Sequence, residues 1–223
     1  MHDTKYCYPN SDVLINKKDI RNINLLREAE MEYTLARLYE LQDKPIRGKF
    51  DFAHLKRIHK HIFQDLYSWA GKIRLVDIAK GDSMFCKVQF IESYAASIFS
   101  HFYKDCENAK DDVSEFVKVF TGNYADMNAL HPFREGNGRA QREFARELCG
   151  KLGYVFDLSK TSHSEMLDAS ITSFQFGDNS KFISIFRKAV VPERDYVGSD
   201  KISILSVDDM DIETVVSTYE YYE

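Results

Sequence analysis

Apolar positions along the chain recur mostly at three- and four-residue intervals, the spacing of one helix face, and alternate clearly in only one segment. From about Asp19 to Leu41 the set Ile23, Leu26, Ala29-Glu30, Tyr33, Leu35 and Leu38 predicts an amphipathic helix, with Pro45 and Gly48 as stop signals. A second helix is expected from Asp51 to Trp69. It would bury Phe52, Leu55, Ile58, Ile62, Phe63 and Leu66, with Asp51 as its N-cap. After Gly71 the pattern changes. Ile73 to Ile78 is β-branched and alternating, Gly81-Asp82-Ser83 is a turn signal, and Met84 to Val88 follows, so a short hairpin is expected between about Arg74 and Val88. Helical spacing returns over Ile91–Cys106, Val113–Leu130, Asn137–Leu152, Ser164–Phe176 and Lys181–Ala189, and Pro192 closes the helical region. The segment Tyr6–Asn16 reads as an extended arm lying on the domain.

These elements predict an all-α fold, a helical bundle with one inserted hairpin. A lone hairpin is marginal, so it must lean on the bundle or pair with something else. The 223 residues suit one domain, expected over 1–192, with an acidic tail over 193–223 that is either a flexible terminus or a linker. The net charge of -5 argues against general affinity for nucleic acid or anionic membranes. No apolar run is long enough for a membrane span, and the residues after Met1 have no signal-peptide core. Cys7, Cys86, Cys106 and Cys149 are scattered, which suits reduced thiols in a cytosolic protein.

The candidate chemistry is concentrated in His131-Pro132-Phe133-Arg134-Glu135-Gly136-Asn137-Gly138-Arg139-Ala140-Gln141-Arg142, where a loop runs into the helix expected from Asn137. A helix N-terminus offers unpaired N–H groups and a partial positive charge, and therefore binds anions. Gly136 and Gly138 remove side-chain bulk and let successive N–H groups form a concave nest. Arg139 and Arg142, three apart, are expected to share a face and reach a polyphosphate. Glu135 supplies a hard oxygen ligand suited to Mg²⁺. Phe133 reads as a core plug. His131 is the one neutral-pH base of the segment, placed to take a proton from an attacking hydroxyl. Each element alone has a plain structural explanation; base, carboxylate and nest together imply transfer of a phosphorus-containing group. The known nucleotide-loop fingerprints and the His-Glu-x-x-His zinc helix are absent.

The twelve residues resemble the signature of Fic domains, His-Pro-Phe-x-[Asp/Glu]-Gly-Asn-Gly-Arg-x-x-Arg, at every fixed position. Further similarity lies in Tyr8-Pro9-Asn10-Ser11, Gly48-Lys49-Phe50-Asp51, Ile58-His59-Lys60, Tyr67 to Arg74 and Asn128-Ala129-Leu130, and it extends over about Tyr6 to Pro192. The resemblance implies a Fic fold with a β-hairpin flap over the active site, and transfer of AMP from ATP to a Tyr, Thr or Ser hydroxyl of a target protein. It implies His131 as base, Glu135 holding Mg²⁺ on the α- and β-phosphates, a phosphate cradle of Gly136, Asn137, Gly138 and Arg139, and Arg142 at the γ-phosphate. The flap, about Ile78 to Gln89 with Ser83, Met84, Phe85 and Cys86 as target-binding residues, would register the target by main-chain pairing. Phe85 is either a clamp on the target side chain or an anchor of the flap. Fic-type kinases carry lysine at the position of Gly138, so the glycine here favours AMP.

The family's inhibitory motif, [Ser/Thr]-x-x-x-Glu-[Gly/Asn], pairs its Glu with the second motif arginine. Thr161 to Glu165 has the spacing but is followed by Met166, and the C-terminal Ser217 to Glu223 has the wrong spacing. The resemblance therefore implies a bacterial cytoplasmic toxin held off by a small antitoxin with an inhibitory helix, or an effector secreted into a host cell. The alternatives are a Fic-type transferase of another group, such as a kinase or a phosphocholine transferase, and a catalytically silent binding module. Among the other histidines, His54, His101 and His59-Lys60-His61 are expected on the solvated surface. His163, after a loop, is a possible neighbour of the nucleotide.

Overall fold

The helical periodicities fold into α1 (Ile23–Asp43), α2 (Phe52–Phe63), α3 (Ile91–Ala109), α4 (Val113–Leu130), α5 (Asn137–Lys151), α6 (His163–Phe176) and α7 (Ser180–Ala189). The computed structural model describes residues 5–80 and 83–197. Residues 1–4, Gly81 and Asp82 of the expected turn, the side chains of Lys80 and Ser83, and the tail from Gly198 to Glu223 with its Thr218 to Glu223 cluster lie outside the described residues. Helix α3 packs on α4, α2 on α1 and α5, and α7 on α4 and α6. The centre is aromatic: Phe102, Phe116, Phe120, Phe144, Phe156, Phe182 and Phe186 are all fully buried. Phe120 meets Phe186 at 5.3 Å between ring centroids, and Phe102 meets Phe144 at 5.6 Å, the tilted contacts that aromatic quadrupoles favour.

Four expectations change. Helix α1 starts four residues later than expected, because Asn22 caps it, taking the N–H groups of Asn24 and Leu25. Helix α2 keeps Asp51 as its cap but stops at Phe63, six residues short of Trp69. The next turn of helix is blocked: the backbone N–H of Lys17 takes the Leu66 carbonyl, and Lys17 Nζ takes that of Gln64. The hairpin is reduced to β1 (Ala79–Lys80) and β2 (Ser83–Met84), antiparallel with Ala79 opposite Met84. Residues 73–78 are not a strand, because the Arg74 guanidinium takes the Val76 and Cys86 carbonyls that a ladder would have used. Finally, β3 (Tyr154–Phe156) pairs antiparallel with β4 (Val190–Pro192), a second small sheet that the pattern did not predict. Three-residue strands are too short to show alternation. The N-terminal arm folds back on itself with a bridge between Cys7 and Leu14, and it buries Tyr6, Cys7, Val13 and Leu14.

Candidate active site

Helix α4 delivers the base. Pro132 disfavours the right-handed helical region for the residue before it, so the helix must end at His131. His131 takes a left-handed conformation, φ 42° and ψ 61°. A non-glycine residue pays about 1 kcal/mol or more for this, and such strain persists only where the surroundings hold it. His131 Nδ1 lies 3.1 Å from the Asn128 carbonyl. A carbonyl only accepts, so Nδ1 carries the hydrogen and Nε2 of the neutral ring is the acceptor. The flap residue Phe85 stacks on this imidazole, with centroids 3.7 Å apart and planes 13° off parallel.

The loop between α4 and α5 is closed from within. Asn137 Oδ1 accepts the Phe133 N–H and its Nδ2 donates to the Phe133 carbonyl, both at 2.8 Å. The Asn137 side chain is thus spent on the loop, and its contribution to a nest is its backbone N–H. Phe133 is the core plug expected of it: it is fully buried, stacked on His59 at 3.8 Å. Gly136 has φ 79°, and a Cβ there would lie 2.0 Å from Phe63 Cζ, so only glycine fits. The first-turn N–H groups of α5 at Asn137, Gly138 and Arg139 have no intrahelical acceptor. At Gly138 a Cβ would stand 3.1 Å from Arg142 Nη1, which sets that arginine beside the nest.

Both motif arginines line the same cleft, and Arg139 is also tied to a neighbouring helix. Arg139 Nη2 pairs with Glu30 Oε1 at 2.5 Å and lies 3.5 Å from Glu135 Oε1, and Arg139 Cζ sits over the Phe63 ring at 4.6 Å. Tyr67 donates its hydroxyl to the other oxygen of Glu30. Burial first, and then the negative charge of Glu30, push the Glu135 carboxyl up to about 7. Glu135 Oε1 also accepts the Gly136 N–H at 2.8 Å. Among the described residues there is no group of three or more His, Cys, Asp or Glu that could hold a metal ion alone. One hard carboxylate beside an anion nest does fit Mg²⁺, which takes one or two carboxylates and completes its shell with phosphate oxygens and water.

These groups border a cleft of about 890 Å³, counted with its open mouth. One wall carries His131, Glu135, Gly136, Gly138, Arg139 and Arg142; the other is α6, which presents Met166, Leu167, Ile171 and Phe174 with Ser170 and His163. In the flap, Met84 is 48% exposed, Phe85 is buried and Cys86 half-buried; of Ser83 only the backbone, in β2, is described. The Phe85 stack makes it an anchor of the flap in this state. Glu165 is used locally: its side chain accepts the N–H of Ser162, the N-cap of α6, in a capping box, and it is exposed.

The surface histidines are a correction in part. His101 is on the surface, but His54 and His59 are fully buried. His54 Nε2 meets Glu147 Oε2 at 2.8 Å, and His59 bonds the Glu135 carbonyl and the Gly71 N–H. Both lie on the same helical phase as Leu55, Ile58 and Ile62, and that phase was the available signal. Glu30 and Arg74 were also missed as site residues. Each is a charge within an otherwise apolar pattern, and that was their signal.

The family model for the Fic/DOC family matches residues 49–149. Protein adenylyltransferase VbhT of Bartonella schoenbuchensis is 39% identical over 82% of this chain, and the match spans 38% of that longer protein's length. "Probable protein adenylyltransferase y4lH" of Sinorhizobium fredii is 38% identical, over 82% of this chain and 94% of its own length. The N-terminal Fic domain of a VirB-translocated Bep effector protein from Bartonella quintana, solved with bound ADP, superposes with a TM-score of 0.76 at 26% identity, covering 85% of this chain and 96% of that one. A relative matched along nearly its whole length, a shared fold and a complete motif folded into one cleft agree: this chain belongs to the Fic/DOC family.

Proposed function

We propose that this protein is an adenylyltransferase that moves AMP from ATP to a hydroxyl side chain of a target protein. The observation that carries the reading is the meeting of an acceptor imidazole, with Nδ1 tied to Asn128, and a helix N-terminal nest on one cleft wall. The names of VbhT and y4lH as adenylyltransferases and the ADP in the Bep neighbour support it. The opposite, apolar wall suits a flat base, and the charged wall suits phosphates.

His131 Nε2 takes the proton of the target Tyr, Thr or Ser hydroxyl, and the oxygen attacks the α-phosphorus. The bond from that phosphorus to the bridging oxygen of the β-phosphate breaks, and pyrophosphate leaves. Gly136, Asn137, Gly138 and Arg139 form the phosphate cradle, with backbone N–H groups donated from Asn137, Gly138 and Arg139, and Arg142 offsets charge on the departing end. Glu135 is the residue that would hold Mg²⁺, whose chemistry there is neutralisation of phosphate charge. The flap, Ser83 to Cys86, registers an extended target segment by main-chain pairing, for which Phe85 must leave the His131 ring. No helix among the described residues is long and apolar enough to cross a membrane. The protein acts in the bacterial cytoplasm under a small antitoxin with an inhibitory helix, or in a host cell after secretion.

The test is incubation with a cell lysate and ATP labelled at either the α or the γ position. Label is expected on protein only from the α position. Transfer from γ alone would make it a kinase, and transfer from neither would leave a binding module. His131→Ala is expected to lower the rate by about 10²- to 10⁴-fold while ATP affinity and circular dichroism stay as in wild type. Full activity in that variant would remove His131 from the mechanism.

A further inference from the structure

Arg74 is fully buried, yet the nearest carboxylate among the described residues is Asp77 at 3.8 Å, with its side chain 46% exposed. A buried guanidinium is tolerated only when its donors are satisfied. Arg74 Nε donates to the His131 carbonyl at 2.9 Å, Nη1 to the Val76 carbonyl at 2.8 Å, and Nη2 to the Cys86 carbonyl. Its own backbone N–H donates to the Pro132 carbonyl at 2.9 Å. The acceptors belong to three segments: the motif loop, the approach to the flap and the flap's exit. The exit is gripped a second time, since the Cys86 N–H donates to the Ala129 carbonyl at 3.1 Å in the last turn of α4. Phe85, the neighbour of Cys86, is the ring stacked on His131.

We infer that Arg74 is a positioning residue that fixes the flap's exit against the left-handed backbone of His131, so that target hydroxyl and base meet in register. It touches neither nucleotide nor target. Its fork holds the His131 carbonyl and the Cys86 carbonyl at once, and rotation of His131 out of its left-handed state would break the first of these bonds. Lysine, with one compact ammonium, cannot span the three carbonyls. The inference rests on the transferase reading above.

The experiment compares wild type, Arg74→Lys, Phe85→Ala and the double variant for AMP transfer from α-labelled ATP to the protein acceptor, with ATP affinity and thermal midpoint measured alongside. Arg74→Lys is expected to stay folded and to bind ATP as wild type does. Its kcat is expected to fall about 100-fold, the cost of a misplacement near 1 Å, with a raised KM for the acceptor. Its loss is expected not to add to that of Phe85→Ala, because both act through the same flap register. An unchanged kcat, a loss explained by ATP affinity or by the folded fraction alone, or strict additivity would overturn the inference. Hydrogen exchange in wild type decides the matter if Arg74→Lys does not fold. The amides of Arg74 and Cys86 are expected to open together, and a Cys86 amide exchanging clearly faster would show that Arg74 does not hold the flap. Inactivity of wild type would count against the transferase reading, and the exchange measurement would still judge Arg74.

Discussion

His59 lies between Phe133 and Phe63, with ring centroids at 3.8 and 4.7 Å. Its Nδ1 accepts the Gly71 N–H at 2.8 Å, so Nε2 carries the hydrogen and donates to the Glu135 carbonyl at 2.9 Å. A second proton would place a donor against the Gly71 N–H. Burial, aided by the charge of Arg139, pushes its pKa down to about 3. The unfolded imidazole titrates near 6.5. Between these values the unfolded chain binds a proton that the folded chain refuses, so this contribution is present above about pH 6.5 and is lost as the pH falls towards 3. His59→Phe should be less stable than wild type at pH 7.5 by about 1–3 kcal/mol, because the buried Glu135 carbonyl and the half-buried Gly71 N–H lose their partner. Urea denaturation should show the gap narrowing as the pH falls through that window; a gap independent of pH would contradict the buried neutral assignment. Glu30 is also nearly inaccessible, and its oxygens are satisfied by Arg139 and by Tyr67.

Helix α4 has its two ends specified by local chemistry. Asp112 caps the start, accepting from the N–H groups of Ser114 and Glu115. Pro132 enforces the stop, which is why the expected and observed bounds coincide at Val113 and Leu130. Its 18 residues span about 27 Å, so the cap is remote from His131. Asp112→Ala should therefore cost about 1 kcal/mol in chemical denaturation and leave kcat for AMP transfer unchanged. A changed kcat would mean that fraying at one end of α4 reaches the other. The flap is the opposite case. Its strands of two residues contribute little by themselves, and its placement comes from Arg74, from Asp77 accepting the Val88 N–H at 2.7 Å, and from Phe85 on His131. A hairpin held by side chains rather than by its own ladder can exchange those partners for an incoming strand.

For the molecule as a whole, the matched family segment at 49–149 is less than the folding unit. Helix α1 lies before it and sends Glu30 to Arg139, while α6 lies after it and forms the apolar wall of the cleft. Phe182 and Phe186 of α7 pack against Phe120 and Tyr124, and β4 pairs with β3 to join that helix to the end of α5. A chain ending at Lys151 would expose this aromatic surface and should lose cooperative melting by calorimetry. One ending at Val197 retains the whole described core and should melt as a single transition. Cooperative melting of the shorter chain would show that the unit ends at the motif helix.

The chain's own residue order determined the helices, most of their ends and the chemistry of the motif, because helical spacing, caps and the X-Pro restriction act over a few neighbouring positions. The glycine at Gly136 was legible as a site of close approach, although its reason, the Phe63 ring, was not. Tertiary structure alone decided which partners the buried polar side chains meet. Glu30, Arg74, His54 and His59 each find at least one partner 12 to 109 residues away in sequence, and no local pattern encodes such distances. It also tied the Arg139 guanidinium to Glu30 of a neighbouring helix, while Arg139 and Arg142 both line the cleft. The early stop of α2 and the shortened hairpin have the same origin: backbone carbonyls took other partners, Lys17 at the end of α2 and the Arg74 side chain at the hairpin, instead of the next turn or strand.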